Sequence, residues 1–154
     1  MKLSEHLDLV EVTRSESAKR RGISNMPTEE HTKNLKLIAE KVFEPIRANF
    51  RQPIRISSGY RSQSLNAAIG GASRSQHSTG EALDIDMDGT DISNAEIFKF
   101  IKDKLDFDQL IWEFGTKQNP DWVHVSYTAS GKQRKQVLRA IKEQGKTKYI
   151  PYAD

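Results

Sequence analysis

The stretch SQHSTGEALD at residues 75–84, together with DWVH at residues 121–124, carries most of the information in this chain. The two stretches supply two imidazoles, from His77 and His124, and one carboxylate, from Asp84. Two nitrogen ligands and one oxygen ligand are typical of zinc sites in which a fourth position stays open for water. The two stretches therefore predict an open metal site.

Cysteine is absent from all 154 residues. A zinc site closed by thiolates is thus excluded, and a metal would have to be held by histidine and carboxylate, which suits an ion that activates water for hydrolysis. Taken alone, each histidine also has an explanation that involves no metal. His77 would be a surface residue after a turn, and His124 a hydrogen-bonded core residue of a strand.

Longer motifs carry a family resemblance. The pattern Ser75-x-His77-x-x-Gly80-x-Ala82-x-Asp84 is preceded by SSGYRS at residues 57–62 and followed by Asp121-x-x-His124. This arrangement resembles the zinc D-alanyl-D-alanine peptidases, a family that includes cell-wall carboxypeptidases, vancomycin-resistance dipeptidases and phage endolysins. LSEHL at residues 3–7 and FDQLI at residues 107–111 resemble its phage and prophage branch. The resemblance covers most of the chain and implies that His77, Asp84 and His124 bind zinc as a set.

The resemblance also implies roles for three further residues. Asp121, three residues before His124, matches the general base of the family, and the alternative is an exposed turn aspartate. Arg61 matches an arginine that lies over the scissile carbonyl, binds substrate and stabilises the oxyanion, and the alternative is a surface ion pair. Ser75 matches a substrate-binding position, but a turn or cap hydroxyl would explain it nearly as well.

Aromatic residues near the motifs offer a groove for a peptide. Trp122 is predicted to contact the substrate, and Trp112 and Tyr127 could line the same groove, although aromatic residues in strands are more often part of the core. On a strand, Trp122, His124 and Ser126 share one face, so the histidine can project from a strand whose other face is buried.

Other titratable residues near the motifs remain open. Glu113, Asp86 and Asp88 could each accept the second ring N–H of a metal-binding histidine or be solvated residues at a strand end. His6 and His31 match no metal motif and are expected to be exposed.

A length of 154 residues fits one domain, predicted as residues 1–154 without a separate wall-binding module. Apolar residues recur at helical spacing from Thr28 to Phe50 and predict a core helix that Pro45 kinks or ends. A second helix is predicted after the capping box Ser93 to Glu96, and a short helical piece before Gly70.

Apolar and polar residues alternate at 54–57 and 82–87, which predicts a strand at each place. On the second strand, Asp84 is expected to face away from Leu83 and Ile85. Residues 110–114 and 122–127 predict a hairpin, and the tail from 136 to 152 favours another. The expected architecture is a single α+β domain with helices packed on a mainly antiparallel sheet. The resemblance implies the same hedgehog/DD-peptidase-like fold.

The formal net charge of +3 modestly favours anionic partners. The basic clusters at residues 19–21 and 132–135 lack interleaved aromatics that would stack bases, so they are interpreted as solvated surface. No apolar run is long enough for a signal peptide or a membrane span. We therefore expect a monomer, made in the bacterial cytoplasm, that neither binds nucleic acid nor inserts into a membrane and that acts on the cell wall after release.

The expected function is zinc-dependent hydrolysis of peptide bonds in peptidoglycan stem peptides by metal-activated water. Either a D-Ala-D-Ala carboxypeptidase or an L-Ala-D-Glu endopeptidase fits, and the phage-like opening suggests an endolysin. The main rival is a cell-wall-binding or virion module that keeps the zinc without turnover. The third hypothesis is a basic protein that binds nucleic acid with strongly salt-dependent affinity.

Overall fold

A six-stranded β-sheet occupies the centre of the molecule, and helices cover one of its faces. The computed structural model describes all residues from 1 to 154. The strands are β1 (Lys2–Ser4), β2 (Leu7–Asp8), β3 (Ile56–Ser58), β4 (Ala82–Ile85), β5 (Gln109–Glu113), β6 (Trp122–Ser126), β7 (Gln136–Glu143) and β8 (Lys146–Pro151). The helices are α1 (Leu9–Thr13), α2 (Glu16–Arg21), α3 (Glu29–Ile38), α4 (Glu44–Phe50), α5 (Gln63–Ala68) and α6 (Asn94–Lys104), with a π-helical segment at Ala39–Phe43 and a 3-10 turn at Gln76–Thr79.

The strand order in the main sheet is β3-β4-β6-β5-β7-β8. Neighbouring strands are antiparallel except β5 and β7, which run parallel. The two predicted hairpins, β5–β6 and β7–β8, are confirmed. The α+β architecture with a mainly antiparallel sheet is therefore confirmed, while the parallel pair was not predicted from sequence.

The predicted helix from Thr28 to Phe50 is present as α3, the π-helical segment and α4 in continuous succession. Thr28 caps it, because its side chain accepts a hydrogen bond from the amide of His31. Pro45 does not end the helix. A proline clashes with the carbonyl four residues earlier, and the wider π turn just before Pro45, in which the Glu44 amide donates to the Ala39 carbonyl, is a common way to relieve that clash.

The sheet has one core face and one open face, and this division positions the candidate site. On β4, Leu83 and Ile85 are fully buried in the core, and Asp84 points the other way, as the alternation predicted. On β6, Val123 and Val125 are likewise buried, and His124 projects from the open face. Burial of each such aliphatic side chain stabilises the fold by roughly 1.5–3 kcal/mol, so the alternate residues are held rigidly.

Asn94, the first residue of α6, ties together the two strands that carry the site. Its side chain is 2% exposed, and its Oδ1 accepts a hydrogen bond of 2.7 Å from the amide of Met87, just after β4. Its Nδ2 donates to the carbonyls of Pro120 and Asp121, just before β6, at 3.2 and 3.0 Å. The helix itself begins with the predicted capping box at Ser93.

Replacing Asn94 with alanine is expected to lower the free energy of unfolding by about 2–4 kcal/mol, because it leaves a buried amide and two carbonyls without partners. Replacing Ser93 with alanine, which removes only the cap, should cost about 1 kcal/mol. Urea denaturation of both variants measures the difference. Equal losses of unfolding free energy in the two variants would contradict the role assigned to Asn94, which is to link the segments next to β4 and β6.

The amino-terminal region adds a two-stranded sheet, β1–β2, and the short helices α1 and α2, none of which was predicted. Asp8 and Glu11 form a capping box at the start of α1. Val12 of α1 is buried against the loop that follows β3. No helix in the fold combines the length and apolar character needed to cross a membrane.

Candidate metal centre

Three side chains converge at the floor of an open cleft of about 920 Å³. His77 comes from the 3-10 turn, and Asp84 and His124 lie directly opposite each other on β4 and β6. Oδ1 of Asp84 lies 3.2 Å from Nε2 of His77 and 3.1 Å from Nδ1 of His124. One candidate ligand atom from each residue lies within 4.8 Å of the other two. The structure thus brings together the three residues that the sequence predicted as ligands.

The ring of His77 is oriented by a main-chain carbonyl. Its Nδ1 lies 2.6 Å from the carbonyl oxygen of Gly59, and the side chain is 2% exposed. Because a carbonyl only accepts hydrogen bonds, Nδ1 carries the proton and Nε2 presents its lone pair to the cleft. Gly59 is required for this approach, since a Cβ there would lie 2.6 Å from the Cβ of Val12 on α1.

Gly80 separates His77 from Asp84 and allows both to reach one point. Its φ of +79° lies in the left-handed region, and a Cβ there would lie 2.5 Å from the carbonyl oxygen of His31. The sequence predicted that Gly80 lies in a loop leading into β4, and the backbone confirms this.

The electrostatics of the cluster suit a cation. Burial opposes ionisation of Asp84, but the two imidazoles outweigh it and hold the pKa of that carboxyl well below its usual range. Nδ1 of His124 faces the Asp84 carboxylate, and the other ring nitrogen, Nε2, is buried without a hydrogen-bond partner. A cation bound at Nδ1 would fix the proton on Nε2, and zinc accepts this set of nitrogen and oxygen ligands. The residues present therefore fit a zinc ion.

Arg61 lines the same cleft. Its backbone amide donates to the carbonyl of His77 at 3.1 Å, which places the two residues side by side. Its Nε is buried without a hydrogen-bond partner, so the surface ion pair considered as an alternative does not account for it. The guanidinium is available to an anionic group in the cleft.

Glu113, at the end of β5, is a functional candidate whose place the sequence did not reveal. It is 6% exposed and lines the cleft, and it lies opposite Trp122 in the pairing of β5 with β6. Burial is the main reason that the pKa of its carboxyl rises to about 7, and the charge of Asp84 adds to this while His124 and Arg61 partly oppose it. A carboxyl that changes protonation near neutral pH is suited to proton transfer.

Removing this carboxyl should make stability less dependent on pH in the metal-free protein. The folded-state pKa of Glu113 lies above its ordinary value of 4.5, so the folded state loses stability as the pH rises towards 7. Keeping the Glu113 carboxyl ionised in the folded state lowers the free energy of unfolding by up to about 3 kcal/mol at pH 8. Glu113→Gln is therefore expected to raise the free energy of unfolding by about 2–3 kcal/mol at pH 8 and much less at pH 5. Urea denaturation at both values measures this, and a pH-independent change would contradict it.

The other predicted site residues differ in where they lie. Asp121 is exposed at the start of β6, and its side chain is not among those lining the cleft, so its role as base stays a prediction. Ser75 lines the cleft, and its hydroxyl also accepts a hydrogen bond from the amide of His77 as the cap of the 3-10 turn. Trp122 is half-buried, lines the cleft and packs on Phe114 with ring centroids 5.5 Å apart.

The structure also places the aromatic and acidic residues for which the sequence allowed two interpretations. Trp112 is buried in the core, and Tyr127 packs against that core, so neither lines the cleft. Asp86 accepts hydrogen bonds from Asn94 and from the amide of Asp88, and Asp88 itself is exposed. The acceptor for His77 is a backbone carbonyl and not one of these carboxylates.

Three arginines line the cleft, and one of them is paired with a carboxylate. Arg61, Arg74 and Arg134 line it, against the two acidic side chains of Asp84 and Glu113. Arg134 is held by the buried Asp108, with 2.8 Å between Nη2 and Oδ2, and this pairing holds the pKa of Asp108 below its usual range. Arg61 and Arg74 form no ion pair and are therefore available to an anionic ligand.

The two remaining histidines lie outside the cleft. His6 is exposed, as expected, and its Nδ1 lies 2.7 Å from Glu44, so that Glu5, His6 and Glu44 form a second cluster with metal-ligand chemistry at the surface. Glu44 already accepts hydrogen bonds from Ser4 and from the His6 amide, which satisfies this cluster without an ion. His31 is half-buried beside the hydroxyl of Tyr60 at 3.1 Å, so the expectation that it is exposed is wrong.

Fold and site together define an α+β protein with an open, cysteine-free metal-ligand set in a cleft lined by arginines. A family model described as peptidase M15 matches residues 5–126. The match spans well over half of the chain, and the chain therefore belongs to the peptidase M15 family, whose members are zinc-dependent. No curated protein matches the chain.

Proposed function

We propose that this protein hydrolyses peptide bonds in peptidoglycan stem peptides with the help of a zinc ion. The observation that carries the proposal is the convergence of His77, Asp84 and His124 in a cleft that also contains the buried carboxyl of Glu113. Membership of the peptidase M15 family supports a zinc-dependent peptidase.

Different residues of the chain would bind the metal, stabilise the developing charge and transfer the proton. His77, Asp84 and His124 would hold the zinc ion, which when bound polarises the scissile carbonyl and activates water. Arg61, whose Nε has no protein partner, would stabilise the negative charge that develops on the carbonyl oxygen. Glu113 would take a proton from the attacking water and pass it to the leaving amine.

Asp121 is the other candidate for this proton transfer, since it occupies the sequence position of the family's base. Burial favours Glu113, because a buried carboxyl in the cleft can hold and release a proton near neutral pH, whereas Asp121 is exposed outside it. Substitution of each carboxyl in turn would separate the two candidates.

The unpaired arginines of the cleft support an acidic peptide as the substrate. Stem peptides of peptidoglycan carry free carboxylates, which could bind to Arg61 and Arg74, the two arginines of the cleft that form no ion pair. Cleavage of D-Ala-D-Ala at the end of the stem and cleavage of L-Ala-D-Glu near its start both place a carboxylate close to the scissile bond. A role in cell-wall lysis, as in phage endolysins, belongs to the same proposal.

Mass spectrometry of purified peptidoglycan fragments tests the proposal. Fragments are incubated with the zinc-loaded protein, and a sample treated with a chelator is analysed alongside. New peptide termini that vanish with chelation would identify the bond. Unchanged fragments from several wall chemistries would contradict the proposal and favour a module that binds the wall without cleaving it.

A further inference from the structure

The β7–β8 hairpin forms one wall of the cleft although it lies beyond residues 5–126, which match the family model. Strand β7 extends the sheet by pairing in parallel with β5. Leu138 on β7 and Thr147 and Tyr149 on β8 line the cleft. The carboxy-terminal part of the chain thus completes a cleft whose floor is made by earlier residues.

Strand register places four of the side chains in one row across the sheet. Trp122 on β6 lies opposite Glu113 on β5, Glu113 lies opposite Ala140 on β7, and Ala140 lies opposite Tyr149 on β8. Paired residues on neighbouring strands project from the same face, so the row has an aromatic residue at each end and Glu113 and Ala140 between them. Ala140 is fully buried, whereas Trp122, Glu113 and Tyr149 line the cleft.

Tyr149 itself is not explained by the packing of the protein. It is 54% exposed, although tyrosine is a large side chain, and it takes part in no aromatic pair or side-chain hydrogen bond. Partial burial, helped by the charges of Glu113 and Asp84, raises the pKa of its hydroxyl, which agrees with a position beside the metal centre. The ring therefore offers an apolar surface to whatever enters the cleft.

We propose that Tyr149 is a substrate-contacting residue whose ring, with Leu138 beside it, packs against a small aliphatic side chain of the peptide to be cleaved. This inference rests on the proposed peptidase function. Glu113 lies between Trp122 and Tyr149 in this row and lines the cleft, so a peptide that extends from one aromatic ring to the other would pass over Glu113. Alanine residues of a stem peptide have side chains of the required size and character.

Steady-state kinetics with a synthetic stem pentapeptide, L-Ala-D-Glu-L-Lys-D-Ala-D-Ala, test this assignment on the full zinc-loaded chain. Tyr149→Ala is expected to raise KM by about tenfold with kcat within about twofold of wild type, because it removes contact area for the substrate and no reacting group. Tyr149→Phe keeps the ring and should behave as wild type. Lys148→Ala is the matched control, since Lys148 is exposed on the opposite face of β8 and makes only a surface ion pair with Glu143.

Binding of the same peptide, measured by calorimetry in a Glu113→Gln background where turnover is slow, provides a readout independent of activity. The dissociation constant should rise by about the same factor for Tyr149→Ala and remain unchanged for the other two variants. Wild-type cleavage with an unchanged KM in Tyr149→Ala would overturn this inference and leave the proposed function standing. Equal losses in Lys148→Ala or in Tyr149→Phe would also overturn it, and a wild-type protein that neither binds nor cleaves the peptide would overturn both proposals.

Discussion

Replacing Asp84 with asparagine is expected to remove zinc binding and hydrolysis together. The carboxylate oxygen lies between the two imidazole nitrogens at 3.2 and 3.1 Å, and an amide of the same shape lacks the charge that makes this oxygen a strong ligand. Loss of a residue that only supports a ligand costs 10- to 100-fold in metal affinity, so loss of the ligand itself should cost at least about 100-fold. The rate of hydrolysis should fall by at least about 1,000-fold, because the metal supplies several kcal/mol of transition-state stabilisation.

Zinc titration followed by calorimetry, and peptide cleavage followed by mass spectrometry, measure the two effects. Asp88→Asn is the matched control, since Asp88 lies just beyond the same strand but is exposed. It should keep both properties, and circular dichroism should show both variants folded. Zinc affinity at the wild-type level in Asp84→Asn would show that the metal binds elsewhere.

Replacing Glu113 with glutamine is expected to lower kcat by about 100- to 10,000-fold while zinc still binds. Glutamine keeps the size of the side chain in its buried position but cannot take a proton, so zinc stoichiometry and peptide affinity should be close to those of wild type. Asp121→Ala should retain nearly the full rate, because its side chain is exposed outside the cleft.

The paired comparison decides which carboxyl transfers the proton. The pH profile of kcat/KM adds a second readout, since an acidic limb should be present in the wild type and in Asp121→Ala if Glu113 is the base. A large loss of rate in Asp121→Ala, with Glu113→Gln nearly unaffected, would instead identify Asp121 as the base, as its place in the sequence motif predicts.

Local patterns in the sequence were enough to predict the elements that hold the ligands. Alternation on β4 and β6 correctly placed Asp84 and His124 on one face, because the period of a strand is fixed by its backbone. The capping box at Ser93 correctly marked the start of α6. At Pro45 the sequence predicted either a kink or an end, and the structure shows that the helix continues past it, with a π-helical segment just before the proline.

Features that depend on contacts between distant segments were not predictable from the sequence. The acceptor for His77 is the carbonyl of Gly59, and every residue has a carbonyl, so no residue type signals it. Glu113 was one of several carboxyls near the motifs until the pairing of β5 with β6 placed it in the cleft. The position of Tyr149 depends in turn on the parallel pairing of β5 with β7, which local periodicity does not encode.

Crystallography of the zinc-soaked protein, with data collected on either side of the zinc absorption edge, would show which residues bind the metal. The chain offers two groups that could hold a metal ion, the cleft set His77, Asp84 and His124 and the surface set Glu5, His6 and Glu44. We predict one strong anomalous peak, in contact with Nε2 of His77, Oδ1 of Asp84 and Nδ1 of His124. A peak confined to the surface set, or none in the cleft, would contradict the account.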